Sequence, residues 1–165
     1  MEKVRAIILG PQCSGKTTLK RYLSSKYALP LVEEDEVFTD LNDGVYPADI
    51  EYKEKTLRPK LEEKVRQSDD IVFLTSYCSP VLLKELKLKG FKILQLVLDE
   101  GEFNRRNERR IKEDGYENAS IWSKEISDFH LRAREKGLVD KVIDANQPIE
   151  VVAKEALEFL EISIK

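Results

Sequence analysis

Short apolar runs alternate with longer segments of helical periodicity along the whole chain. Five of the runs predict β-strands, at 4–9, 30–34, 71–75, 91–98 and 140–145. Several are apolar at nearly every position, which is typical of parallel strands whose two faces are both covered by helices. Helix-like spacing occupies the segments between the runs, at 17–27, 47–67, 81–89, 102–136 and 149–162. The alternation predicts an α/β fold with a parallel sheet and right-handed crossovers.

The bulk composition is that of a globular chain, and we expect one domain over residues 1–165. The chain is 41% hydrophobic and 36% charged, and its net charge of −3 provides no overall positive field for nucleic acid or an anionic membrane. Its two cysteines are a poor framework for disulfides, so a reducing, cytoplasmic location is expected. No apolar run approaches the ~20 residues that span a bilayer. We expect a monomer or homodimer with no membrane partner.

The segment GPQCSGKTT, residues 10–18, joins the first predicted strand to the first predicted helix with the spacing G-x-x-x-x-G-K-[ST]. Backbone N–H groups of such a loop surround phosphates, aided by the dipole of the following helix, and glycines allow the close approach. Lys16 is expected at the β- and γ-phosphates and Thr17 at Mg²⁺, which makes Thr17 the predicted metal ligand. The remaining predicted phosphate-binding residues are Gly10, Pro11, Gln12, Cys13, Ser14, Gly15 and Thr18.

This segment resembles the small P-loop kinases of the nucleoside-monophosphate kinase group, which includes thymidylate, adenylate and dephospho-CoA kinases. VDKVIDANQPIEVVAKEAL, residues 139–157, is similar to the last strand, loop and helix of that group. The resemblance implies a three-layer P-loop NTPase fold: a five-stranded parallel sheet in the order 2-3-1-4-5, flanked by helices and carrying a helical lid. It also implies ATP as the phosphoryl donor and places Ala145, Asn146 and Gln147 against the ATP base.

A basic cluster, EFNRRNERRIKEDG at 102–115, follows the fourth predicted strand. Helical spacing places Arg106 and Arg110 on one face. The resembled kinases have their lid here, at about 100–120 in this chain, and its arginines neutralise the charge of the phosphoryl group in transfer. The resemblance thus makes Arg106 and Arg110 catalytic and Arg106 also a cofactor-binding residue. The alternative is a solvated helix face on which the arginines pair with Glu102, Glu108 and Glu113.

Four consecutive acidic residues, 33–36, lie at the end of the second predicted strand, where open α/β sheets place ligand contacts. Asp35 is the candidate catalytic residue that orients the acceptor hydroxyl or supports the magnesium shell. The alternative is an acidic turn that caps the next helix. The acceptor-side flap is expected at about 36–68, with candidate contacts at Tyr46, Tyr52 and Arg58.

After the third predicted strand the chain has LTSYCSP, residues 74–80, where thymidylate and adenylate kinases have an acidic residue. Hydroxyls at 75–77 suit a polar acceptor but do not identify it. The prediction is an ATP-dependent phosphotransferase with a small-molecule acceptor, a nucleotide or nucleoside. A polynucleotide 5'-hydroxyl kinase remains open because of the basic cluster. A regulatory NTPase with slow hydrolysis remains open because the acidic residue is missing.

Two further residues of α-helical segments receive structural interpretations. His130 has no second histidine or cysteine pair, so we expect a surface or half-buried histidine rather than a zinc ligand. Trp122 shares helical spacing with Ile121, Ile126 and Phe129, which predicts a place in the core.

Overall fold

Five parallel strands form the central sheet of the protein, whose computed structural model describes residues 2–164. The strands are β1 (Arg5–Leu9), β2 (Leu31–Glu33), β3 (Ile71–Thr75), β4 (Lys92–Val97) and β5 (Lys141–Asp144). Their order in the sheet is β2-β3-β1-β4-β5, and every pairing between neighbours is parallel. Each strand lies within its predicted apolar run, and the predicted order is confirmed.

Helices connect the strands and cover both faces of the sheet. They are α1 (Lys16–Ser24), α2 (Glu34–Leu41), α3 (Ile50–Tyr52), α4 (Arg58–Gln67), α5 (Pro80–Leu88), α6 (Glu100–Asp114), α7 (Ser120–Glu135) and α8 (Ile149–Phe159). A π-helical segment, Lys53–Leu57, joins α3 to α4. The helical pattern at 102–136 is divided in two, because Gly115 ends α6 in the left-handed conformation. None of the helices in the described residues has the length and apolarity needed to cross a membrane.

The core consists of two apolar clusters, one on each face of the sheet. Successive side chains of a strand point to opposite faces, so Ile7 of β1 joins the cluster under α4 and α5, while Ile8 joins the one under α1 and α8. Phe73 and Val72 of β3 divide in the same way. Burial on both faces explains why these strands are continuously apolar in sequence, and it produces the predicted three layers.

The three central strands end close together at one edge of the sheet. Leu9 is in register with Thr75 of β3 on one side and with Gln95 of β4 on the other. The chain leaves β1 through the glycine loop, whose first amide, Gly10 N, donates a hydrogen bond to Thr75 O at 3.1 Å. The topology therefore places the glycine loop at the carboxyl edge, between the polar ends of its neighbours.

Candidate active site

A cavity of about 970 Å³ lies at this carboxyl edge. It is lined by the glycine loop, the start of α2, the helical segment before α4, the end of β3, the α6 and α7 helices and the loop after β5. The predicted site residues among its lining are Gln12, Cys13, Ser14, Gly15, Lys16, Thr17, Thr18, Asp35, Arg106, Arg110, Ala145 and Gln147. The fold thus brings together segments that lie more than 100 residues apart in sequence.

Some predicted residues lie outside the cavity lining. Gly10 and Pro11 begin the glycine loop, and their carbonyl oxygens accept hydrogen bonds from Lys16. Asn146 is exposed, and its side-chain amide donates to Asp144 Oδ1 at 2.6 Å. Of the three candidate acceptor contacts, Tyr46 and Arg58 line the cavity and Tyr52 does not.

The lysine of the glycine loop is half-buried at its centre. Lys16 Nζ donates to Gly10 O at 2.7 Å, to Pro11 O at 2.9 Å and to Ser76 Oγ at 3.1 Å. Burial lowers the pKa of Lys16 to about 8, although the carboxylates of Glu34, Asp35 and Glu33 act in the opposite direction. An additional negative charge in the cavity would favour the ammonium form, so this position suits a polyphosphate.

The glycine loop has a shape and polarity that fit a phosphate chain. A Cβ atom on Gly10 would lie only 2.5 Å from Ser14 Oγ, so the loop closes on itself more tightly than a side chain allows. Neither Gln12 Oε1 nor Ser14 Oγ, both buried, has a hydrogen-bond partner among the described residues. Gly15, at φ 90°, begins α1 in the left-handed conformation, and Cys13 adopts φ 66° without being a glycine. Glycine adopts this conformation without a steric cost, so the strain lies at Cys13, and both residues turn the loop towards the start of α1.

The first hydroxyl after the loop lysine faces a carboxylate from a different strand. Thr17 Oγ1 donates to Glu33 Oε1 at 2.6 Å, and Glu33 is the last residue of β2. Hydroxyl and carboxylate oxygens are the ligand atoms that Mg²⁺ prefers, so Thr17 and Glu33 fit this ion. Within residues 2–164 no group of three or more His, Cys, Asp or Glu side chains is arranged to hold a metal ion. The Thr17 and Glu33 pair supplies two oxygens, which is typical of Mg²⁺ that is shared with substrate phosphates.

The acidic residues 33–36 have separate roles. Glu36 accepts a hydrogen bond from Glu33 N at 2.9 Å at the start of α2, as the capping alternative predicts. Glu34 binds Arg58 at 3.0 Å. Asp35 lines the cavity, and its pKa is raised by burial and by the neighbouring carboxylates of Glu34 and Glu33. The capping alternative is therefore confirmed for Glu36, and the catalytic role of Asp35 stays a prediction.

All four arginines of the basic cluster on α6 line the cavity, but only Arg106 and Arg110 contact the loops beside it, and Arg106 also pairs with Glu102. Arg106 Nη1 donates to Cys13 O at 3.0 Å and Arg106 Nη2 to Ala145 O at 2.9 Å, so one guanidinium joins the glycine loop to the loop after β5. Arg110 Nη1 lies 3.2 Å from Cys13 Sγ. Arg105 and Arg109 are largely exposed and pair within α6, as the surface alternative predicts, with Glu102 and Glu113 respectively.

Two structural predictions on α7 are wrong in part. His130 is only 5% exposed, and its Nε2 lies 2.8 Å from Ser76 O, next to the residue that contacts Lys16. Burial lowers the pKa of His130 to about 4, so the ring is neutral at pH 7. Trp122 is 38% exposed and lines the cavity, and Ile121 is 69% exposed, whereas Ile126 and Phe129 are buried as predicted. The first turns of α7 border the cavity instead of packing on the sheet.

No protein-family model and no curated protein matches the sequence, but solved structures match it over nearly its whole length. It is similar to a shikimate kinase from Bacteroides thetaiotaomicron, with a TM-score of 0.69, 19% identity, and coverage of 96% of this chain and 99% of that chain. A gluconokinase from Sinorhizobium meliloti has a TM-score of 0.57, 15% identity and coverage of 96% and 91%. A sugar kinase from Janibacter has a TM-score of 0.60, 19% identity and coverage of 98% and 96%.

These likenesses define the class of the fold. The chain has the P-loop kinase fold that the three small-molecule kinases share, with the predicted sheet order and the glycine loop at its carboxyl edge. The resemblance to nucleoside-monophosphate kinases in particular stays a prediction.

Proposed function

We propose that the protein transfers the γ-phosphoryl group of ATP to a hydroxyl of a small acceptor. The observation that supports this most directly is the shared cavity, which is lined by the half-buried Lys16, the Thr17 and Glu33 pair, the Arg106 bridge and Asp35. A nucleotide or nucleoside acceptor, as the family resemblance implies, is the finer prediction. The glycine loop is proposed to bind the triphosphate, and Ala145 and Gln147 to border the base.

The proposed step forms a bond between the acceptor oxygen and the γ-phosphorus. The bond from that phosphorus to the β,γ-bridging oxygen breaks, ADP leaves, and Asp35 accepts the proton of the hydroxyl. The raised pKa of Asp35 suits it to that proton transfer. Lys16, Arg106 and Arg110 supply positive charge around the moving group, and since the transition state is loose, charge and positioning account for most of the rate. Thr17, supported by Glu33, would hold Mg²⁺, which neutralises phosphate charge when bound.

The test is an assay of ADP formation from ATP and Mg²⁺ against a panel of nucleosides, nucleotides, sugars and other hydroxylated metabolites. We expect at least one acceptor to stimulate ADP formation, with phosphorylated acceptor produced in equal amount. Lys16→Ala is expected to abolish the stimulation. Lys20→Ala is the matched control, because Lys20 lies one turn further along α1 and pairs with Glu36 away from the cavity lining.

Two results would contradict the proposal. Release of free phosphate at the same rate with and without every acceptor would favour the regulatory NTPase. Stimulation only by polynucleotide ends, with steep salt dependence, would favour the 5'-hydroxyl kinase.

A further inference from the structure

One side of the cavity is formed by the start of α2 and by the helical segment that leads into α4. We place the acceptor there, and the inference below depends on the proposed function. We define the acceptor wall as the charged residues that line this side: Glu34, Asp35, Lys53, Glu54 and Arg58. Its charges are distributed unevenly. Three carboxylates face two cations, so the wall has one net negative charge before any ligand binds.

The guanidinium of Arg58 is fully engaged by the protein. It is buried, and it pairs with Glu54 through Nε and through Nη2 at 3.1 Å. Nη2 also donates to Glu34 Oε1 at 3.0 Å, and Nη1 donates to Tyr77 O at 3.2 Å. The same group lies 5.2 Å from the ring centroid of Phe38 and 5.2 Å from that of Tyr77. An arginine has five N–H donors, so little capacity is left for an incoming anion.

The second cation of the wall is engaged as well. Lys53 Nζ donates to Tyr46 Oη at 3.3 Å and lies 3.7 Å from Glu54 Oε1. Glu54 is therefore shared by both cations.

An acceptor that brought its own phosphate or carboxylate would meet a net negative surface in a part-buried cavity. To bind, it would have to displace Glu34 or Glu54 from Arg58. The displaced carboxylate would then pay the free-energy cost of desolvation without a cation beside it. The four arginines of α6 also line the cavity, but none belongs to the acceptor wall. Arg106 and Arg110 contact Cys13 on the glycine loop, and Arg105 and Arg109 pair with Glu102 and Glu113 of α6. A hydroxylated acceptor meets no such obstacle, since carboxylate oxygens accept hydrogen bonds from hydroxyl and ammonium groups alike.

We propose that the acceptor is a hydroxylated small molecule that is uncharged or carries an ammonium group, and that bears neither phosphate nor carboxylate. Polyols, amino sugars and nucleosides belong to this class. Nucleoside monophosphates do not. An ammonium group would bring the charge of the acceptor wall to zero and would therefore add affinity to that of the hydroxyls.

The first experiment sorts acceptors by charge. A small-molecule extract is separated by ion exchange into anionic, uncharged and cationic pools, and each pool is assayed for stimulated ADP formation with the wild-type protein and with Lys16→Ala. Stimulation that depends on Lys16 is expected in the uncharged or cationic pool. Stimulation confined to the anionic pool would overturn the inference while leaving the proposed phosphotransfer intact. No stimulation by any pool would contradict the proposed function, and the second experiment then decides the inference by itself.

The second experiment needs no turnover. With Mg²⁺ and a non-hydrolysable ATP analogue bound at the glycine loop, sulfate is titrated at constant ionic strength, and binding is followed by the fluorescence of Trp122, the single tryptophan, which lines the cavity. The wild-type protein is expected to show no saturable response. Glu54→Gln removes the carboxylate shared by Arg58 and Lys53, so it should bind sulfate at least tenfold more tightly.

The controls make the sulfate titration decisive. Glu51→Gln is the matched variant, because Glu51 pairs with Lys55 on the exposed side of the same helical segment and should behave as wild type. Glu34→Gln releases the other partner of Arg58 and replaces Glu54→Gln if that variant does not fold. Saturable sulfate binding by the wild-type protein, as tight as by the variants, would overturn the inference.

Discussion

The tight closure of the glycine loop leads to a prediction for Gly10→Ala. The added methyl carbon would lie 2.5 Å from Ser14 Oγ and 3.3 Å from both Leu96 Cβ and Lys16 Cγ. Ser14 is buried, and contacts on three sides leave the methyl group no free direction, so the loop backbone must shift. Overpacking of this kind costs about 1–3 kcal/mol, which corresponds to roughly 5- to 150-fold weaker binding if the shift opposes the nucleotide-binding conformation.

The measurement is calorimetric titration with a non-hydrolysable ATP analogue and Mg²⁺, together with thermal unfolding of each variant. Ser14→Ala in the Gly10→Ala background removes the 2.5 Å contact and leaves those at 3.3 Å, so it should restore part of the affinity. Ser14→Ala alone is the reference. Gly101→Ala is the matched control, because its added carbon would be 3.5 Å from Asp99 Oδ1, an ordinary contact. Wild-type affinity in Gly10→Ala, or no recovery in the double variant, would refute the steric reasoning.

Three further predictions concern the same region. Thr17→Ala should raise the Mg²⁺ concentration needed for half-maximal nucleotide binding by about tenfold. Glu33→Gln should raise it by less, because it removes only the partner of the hydroxyl, and equal Mg²⁺ midpoints for the two variants would contradict this. Because His130 has a folded-state pKa of about 4, below its ordinary 6.5, the unfolded chain gains a proton first as pH falls. The free energy of unfolding should then decrease between pH 6.5 and 4 by up to about 3 kcal/mol, and urea unfolding of His130→Gln should show a smaller decrease. Arg106→Ala should lower nucleotide affinity at least tenfold. Arg109→Ala, which removes an exposed pair with Glu113, should change the affinity less than about twofold, and equal losses of affinity in the two variants would show that the bridge is unimportant.

The sheet and the position of the site were predictable because each depends on a pattern within a short stretch of sequence. Strands buried on both faces are apolar at most positions, as β1 (RAIIL), β3 (IVFLT) and β4 (KILQLV) are. The glycine spacing marks one connection, between β1 and α1, and the carboxyl edge follows from it. A single residue, Gly115, also marks the point where the helical pattern at 102–136 divides.

The assignment of individual side chains was less predictable, because it depends on contacts between distant segments. Of the four consecutive acidic residues, Glu33 is the one that faces Thr17. The boundary between β2 and α2 decides this, and it lies between Glu33 and Glu34. Glu33 places a carboxylate beside Thr17, the predicted metal ligand, and only its position at the end of β2 pointed to it. Trp122 has core-like spacing, but the cavity borders that part of α7.

The bridge made by Arg106 has a consequence for how the protein can change over evolutionary time. Both acceptor atoms, Cys13 O and Ala145 O, belong to the main chain. Replacement of either side chain leaves an identical oxygen in place, provided that the local backbone is kept. The link between these two loops should therefore survive wide sequence drift at positions 13 and 145, while position 106 itself has no such freedom.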